Sequence, residues 1–166
     1  MALRKIREYG DEILTKKCRE VREMTPRLKE LVEDMLETMY QAEGVGLAAP
    51  QVGVLKRIVV IDIGEGPIVL VNPKLVEQDG EQEGNEGCLS VPGKAGVVVR
   101  PNHVVAEGFD QEMNPVRIEG EELLARAICH ELDHLEGIMY TTRVKGELFD
   151  TADSDEASEE ATEEEQ

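Results

Sequence analysis

The sequence predicts an α+β domain: mostly antiparallel strands packed around a central helix that carries a His-Glu-x-x-His motif. Three observations predict it. The chain has 166 residues, a length that suits one core. Helical apolar patterns stand towards both ends, with short strand-like segments between them. No helix separates consecutive strands, so the βαβ units of a parallel sheet are missing and mostly antiparallel pairing is left.

Residues 11–17 can form a short helical turn. The first clear helix covers 25–42. Thr25 can cap it and Pro26 suits its first turn. Leu28, Leu31, Val32, Met35, Leu36 and Met39 repeat at helical spacing, and Gly44 marks the stop. GVGLAAPQVG (44–53) then reads as a glycine-rich turn. Strands are expected at RIVVIDI (57–63), IVLVNPKLVEQ (68–78), AGVVVRP (95–101), HVVAEGFD (103–110) and PVRIEG (115–120), separated by Gly, Pro or Asn. EGCLSVPG (86–93) lies between a flexible, glycine-bearing acidic segment and a strand-like apolar run. EELLARAICHELDHLEG (121–137) is the second long helix, ended by Gly137.

Net charge is −18 but unevenly spread. Residues 147–166 hold ten acids and no Lys or Arg, which leaves 26 acids against 18 bases, or −8, in residues 1–146. The folded domain is therefore expected at 1–146. The tail at 147–166 is expected to be disordered, since it has almost nothing apolar to set against its ordering entropy. No basic stripe is visible to neutralise phosphates, so direct nucleic-acid binding is not expected. No run of 18 apolar residues occurs and the N-terminus lacks an apolar signal region, so a cytoplasmic protein without membrane contact is expected. Aromatic residues make up only 3% of the chain, so aliphatic residues and Met must fill the core. The odd cysteine count (Cys18, Cys88, Cys129) argues against a disulfide framework and leaves at least one thiol for other chemistry.

On the second helix, Leu123, Ala127, His130 and His134 share one stripe, and Leu124, Ile128, Glu131 and Leu135 share the next. Both stripes are otherwise apolar, so two histidines and a carboxylate face the interior. Burying a carboxylate without partners costs several kcal/mol, so a cation or strong hydrogen bonds should be near. Histidines at i and i+4 converge on one point, which suits a divalent metal. Catalytic zinc-type sites take three protein ligands and keep one position open. A metzincin pattern fails here, because Tyr140 stands where its third histidine belongs. His103, opening a strand after Pro-Asn, reads as a surface residue. Cys88 is the favoured third ligand, since a thiolate suits zinc or ferrous iron.

Gly44, Gly46 and Ala49 formally match a dinucleotide fingerprint, but they follow a helix, and Pro50 obstructs the helix that should begin there. The turn can instead bring its backbone close to a peptide-like ligand. Two readings stand for Gln51: an amide aimed at the oxyanion of a tetrahedral intermediate, or a side chain bonded to its own turn.

Together, GVGLAAPQ (44–51), EGCLS (86–90) and HELDH (130–134) resemble the peptide deformylase family, over about residues 1–146. IREYGDEIL (6–14) resembles the family's start, with Glu12 where proline is common. The resemblance implies removal of the N-formyl group from the formyl-methionine of newly made polypeptides, with release of formate. It implies Cys88, His130 and His134 as metal ligands, and Glu131 as general base and acid. Gln51 and the Leu89 N–H would stabilise the oxyanion. The backbone of Val45, Gly46 and Gly87 would hold the peptide, and the methionine side chain would enter an apolar pocket near Leu123 and Ala127. One divalent ion per chain is implied, usually ferrous iron, with zinc, nickel or cobalt able to take its place. Glu86 and Arg100 are read either as a pair across the site or as surface residues, and Asp133 either as a second-layer support or as surface charge. Cys129 is expected to pack against the sheet, and Cys18 to be an inert thiol. Some family members dock on the ribosome through a basic C-terminal helix. This chain's acidic run counts against that mode and leaves only transient ribosome contact through another surface. An internal-bond metallopeptidase is the alternative function.

Overall fold

The computed structural model describes residues 2–151. Helix α1 spans Pro26–Gln41 and α2 spans Leu123–Leu135. The strands are β1 (Gly46–Ala48), β2 (Ile58–Ile61), β3 (Ile68–Asp79), β4 (Gln82–Cys88), β5 (Val91–Arg100), β6 (His103–Phe109), β7 (Pro115–Glu121) and β8 (Val144–Asp150). They form a five-stranded sheet in the order β1-β2-β3-β6-β7 and a three-stranded sheet in the order β4-β5-β8. Every pairing within the two sheets is antiparallel, which bears out the α+β expectation.

Pleating explains how the larger sheet serves two helices. Side chains alternate faces along a strand. On β2, Ile58 and Val60 pack with Leu31, Val32, Met35 and Met39 of α1. Val59 and Ile61 point the other way and pack with α2 residues Ala125, Ile128, Leu132 and Leu135. With a helix on each face, all four β2 residues are buried. Thr25 caps α1 as its sequence implies, with Oγ1 accepting from Leu28 N–H at 3.2 Å. Gly137 ends α2 for a concrete reason. Its φ is +75°, and a Cβ there would sit 2.5 Å from the Thr15 carbonyl oxygen.

Three strands depart from the sequence reading. The glycine-rich turn at 44–53 contains β1, paired with β2, followed by a 3-10 turn over Ala49–Val52. The acidic segment expected to be flexible forms β4, paired with β5 from Gln82↔Arg100 to Gly87↔Ala95. β8 crosses the expected domain boundary at 146 and continues to Asp150, held to β5 by the pairs Ala95↔Phe149 and Lys94↔Asp150. Edge pairing gives this polar segment structure that its composition does not advertise. The rest of the tail expectation, residues 152–166, lies outside the described residues. No helix among the described residues is long and apolar enough to cross a membrane.

Candidate active site

The two histidines stand one turn apart on α2, with ring centroids 5.0 Å from each other. Cys88, the last residue of β4, brings its Sγ to 3.3 Å from His134 Nε2. One ligand atom from each of Cys88, His130 and His134 lies within 4.8 Å of the others. The three-stranded sheet thus delivers the thiol and α2 delivers both imidazoles.

Glu86 fixes the orientation of His130. Its Oε1 lies 2.5 Å from His130 Nδ1, which turns the Nε2 of that ring towards Cys88 and His134. Arg100 donates to both Glu86 oxygens, at 3.1 and 2.5 Å, and Arg126 Nη1 donates to Oε2 at 2.8 Å. Burial alone would raise the Glu86 carboxyl, but the hydrogen bonds from His130 and Arg100 outweigh it and hold the group at about 2. Arg100 continues outward to Asp133, at 2.6 Å, and Arg143 closes the chain on Asp133, also at 2.6 Å. Both open questions resolve the same way: Glu86 and Arg100 pair in the interior, and Asp133 supports them.

Glu131 has the opposite environment. It is 4% exposed, its Oε1 has no hydrogen-bond partner among the described residues, and burial pushes its carboxyl up to about 7. Gly46 makes room for it, since a Cβ there would collide with the Glu131 carboxylate. Gln51 bonds to its own turn and still presents its amide to the site. Its Oε1 accepts from Ala48 N–H at 2.9 Å, which fixes the amide. Its Nε2 then faces the site, 3.0 Å from Ser90 Oγ and 3.5 Å from Cys88 Sγ.

A cleft of about 410 Å³ opens onto this cluster. Val45, Gly46, Gln51, Gly87, Cys88, Leu89, Leu123, Ala127, His130 and Glu131 all line it. Every expected site residue is therefore brought together, with His134 buried just behind the wall at 1% exposure. Leu123 is 49% exposed and sits at the rim, so Ala127 lies deeper than Leu123. Cys129 packs in the core with Val59, Leu70 and Val104 and is no part of the cluster. His103 lies on β6, bonded to Asp79 and Glu119.

Sequence reasoning missed Ser90, Arg126 and Arg143. Ser90 sits inside the EGCLS motif and is fully buried. The signal for Arg126 was an arginine four residues before His130 on a helix face meant for the interior.

The donor set fits a divalent cation. A thiol and two imidazoles suit zinc or ferrous iron. Without a cation, burial works against a charge on either ring. Glu131, Cys88 and Glu86 nevertheless draw a proton onto His130, while His134 is pushed down by burial and by charged His130. The cluster therefore attracts one buried positive charge, which a divalent cation would supply instead.

An α+β domain with a His-Glu-x-x-His helix, a nearby thiol and a peptide-sized cleft defines a candidate metallohydrolase. The polypeptide deformylase family model matches residues 3–148. The chain belongs to the polypeptide deformylase family. It is 65% identical to a peptide deformylase of Agathobacter rectalis over 155 residues, covering 93% of this chain and 98% of the relative. A peptide deformylase from Thermotoga maritima superposes with a TM-score of 0.85 at 37% identity, covering 87% of this chain and 99% of the other. One from Synechococcus elongatus, solved in complex with actinonin, gives 0.82 at 40% identity, covering 85% and 78%.

Proposed function

We propose that this chain removes the N-formyl group from the formyl-methionine that begins newly made polypeptides, releasing formate and a free amino terminus. The observation that carries the reading is the Cys88, His130 and His134 cluster beside Glu131, at the end of a cleft in a deformylase-family chain.

Cys88, His130 and His134 would hold one divalent ion, Fe²⁺ natively, with Zn²⁺, Ni²⁺ or Co²⁺ as substitutes. When bound, the ion supplies Lewis-acid chemistry that acidifies water and polarises an amide carbonyl. Glu131 takes the proton from the attacking water and later gives it to the departing amine. The C–O bond to formate forms and the formyl C–N bond breaks. Gln51 Nε2 and the backbone N–H of Leu89 meet the transient oxyanion, where one lost donor typically costs about 10²–10³ in rate. The backbone of Val45, Gly46 and Gly87 holds the peptide, and Leu123 and Ala127 line the methionine pocket.

The working place is the cytoplasm, on nascent formyl-methionyl chains, with transient ribosome contact and without nucleic-acid or membrane binding. Fe²⁺ loading implies sensitivity to oxygen through the metal and the thiolate. An internal-bond metallopeptidase is not favoured for a chain of this family. The test is formate release from formyl-Met-Ala-Ser with and without a chelator. Chelator-sensitive release is expected. Cleavage of an internally quenched peptide without formate release would end the deformylase reading.

A further inference from the structure

The two oxyanion donors stand on different sheets. Gln51 follows β1 of the five-stranded sheet, and Leu89 lies in the turn between β4 and β5 of the three-stranded sheet. Gln51 Nε2 reaches across this division to Ser90 Oγ, at 3.0 Å. A second link runs through the N-terminal segment. Arg7 N–H donates to the Gln51 carbonyl oxygen at 2.6 Å, and Tyr9 N–H donates to the Ser90 carbonyl oxygen at 2.7 Å. Two backbone donors, two residues apart, therefore hold one loop each.

Side-chain burial does not account for this contact. Arg7, Glu8, Tyr9 and Gly10 are all exposed, Tyr9 at 64%. The segment is fastened on either side of them instead. Upstream, Arg4 N–H donates to Thr38 Oγ1 and Arg4 Nε to Asp34 Oδ2, each at 2.9 Å, and both acceptors lie on α1. Downstream, Leu14 is 1% exposed and packs with Val91 and Val98 of β5. The Arg7 side chain adds a local tie, with Nη1 donating to Asp11 at 3.0 Å. It lies against Gly53, where a Cβ would come within 3.0 Å of Nη2. An exposed stretch anchored at both ends is thus laid across the two loops that carry the donors.

We propose that residues 7–9 are a positioning element, in which the Arg7 and Tyr9 N–H groups set the spacing between Gln51 Nε2 and Leu89 N–H. The proposal rests on the deformylase reading. Oxyanion donors work because they are in place before the charge develops. The bond from Ala48 N–H already fixes the turn of the Gln51 amide. What remains free is the placement of one loop against the other, and the two carbonyl bonds fix that. An interaction realised only in the transition state acts on kcat and leaves KM unchanged.

The test uses full-length Arg7→Pro and Tyr9→Pro, each beside its alanine counterpart. Proline removes the N–H and alanine keeps it. Formate release from formyl-Met-Ala-Ser is measured per bound metal, so an unloaded fraction does not count. Each proline variant is expected to lose about tenfold in kcat relative to its alanine partner, with KM and metal content unchanged. That is less than the about 10²–10³ for losing an oxyanion donor outright. Arg7→Pro is then added to Gln51→Ala. If Arg7 acts through Gln51, the second change lowers kcat little further, because residues that work as one unit are not additive. Equal kcat in the proline and alanine variants, loss of metal in the proline variants, or the same fold-loss with and without Gln51 overturns the proposal. No formate from the unaltered chain refutes instead the deformylase reading beneath it.

Discussion

Glu86 and His130, separated by 44 positions in the chain, are joined by a 2.5 Å hydrogen bond between Oε1 and Nδ1 in the interior. The bond links β4 to α2, and Arg100 adds β5 to the same knot. Glu86 pairs with two buried guanidiniums while it aims one imidazole. Stability and site geometry therefore meet in one carboxylate.

Replacing it as Glu86→Gln leaves buried Arg126 without its counter-charge and leaves Arg100 with Asp133 alone. Breaking a buried ion pair from one side typically costs about 3–5 kcal/mol. Partners of metal-ligating histidines contribute about 10–100-fold to metal affinity. Urea unfolding and a chelator competition should show both losses. A stability change within about 0.5 kcal/mol, the range of an ordinary surface substitution, would refute the structural half.

Glu131→Gln should separate activity from stability. The carboxylate is buried, and its Oε1 has no partner among the described residues, so the fold gains little from its charge. The three proposed ligand residues are untouched. The expected result is an unchanged metal content, equal or higher stability, and a fall in kcat of about 10²–10⁴. Near-native turnover would remove Glu131 from the proton-transfer role.

His103 predicts a pH effect away from the site. Its Nε2 lies 2.7 Å from Glu119 Oε1 and its Nδ1 3.2 Å from Asp79 Oδ2, bridging β6 to β7 and β3. The hydrogen bond to Glu119 is the main cause that raises its pKa, with Asp79 adding to it against a smaller effect of burial. A raised pKa means that the folded state holds the proton more tightly. The stabilisation is full below the unfolded value of about 6.5 and is lost as pH rises through the folded value. His103→Asn should lower the urea midpoint at pH 6 and leave it close to wild type at high pH. An equal loss at both pH values would show that the charge is not involved.

The parts of this site that were legible in the sequence are those set by local spacing. His130, Glu131 and His134 form one helical pattern, and Cys88 sits in a compact motif. What was hidden depends on partners far along the chain. β4, QEGNEGC, has no β-branched residue and two glycines, and it becomes a strand only because β5 pairs with it. Arg126 finds its carboxylate 40 positions away, a match that no periodicity reveals. β8 is an exposed edge strand whose acids merge into the tail composition, so its pairing with β5 left no mark in the hydrophobic pattern.

Gly46 tests how closely β1 is fitted to the Glu131 carboxylate. An added Cβ would lie 2.9 Å from Glu131 Cδ and 3.0 Å from its Cγ, closer than carbon atoms pack. Nothing in the backbone objects, since Gly46 is not among the residues with positive φ. The whole cost of Gly46→Ala therefore falls on the Glu131 side chain, which is buried at the end of the cleft. Overpacking of this kind typically costs about 1–3 kcal/mol. A displacement of about 1 Å in a reacting group can cost about 10²-fold in rate. Two roles for Gly46 can then be told apart by steady-state kinetics. If its backbone only holds the peptide, the variant raises KM and spares kcat. If its missing side chain is what lets Glu131 stand in place, kcat falls while bound metal stays constant. The collision geometry predicts the second pattern, and a wild-type kcat in Gly46→Ala would rule it out.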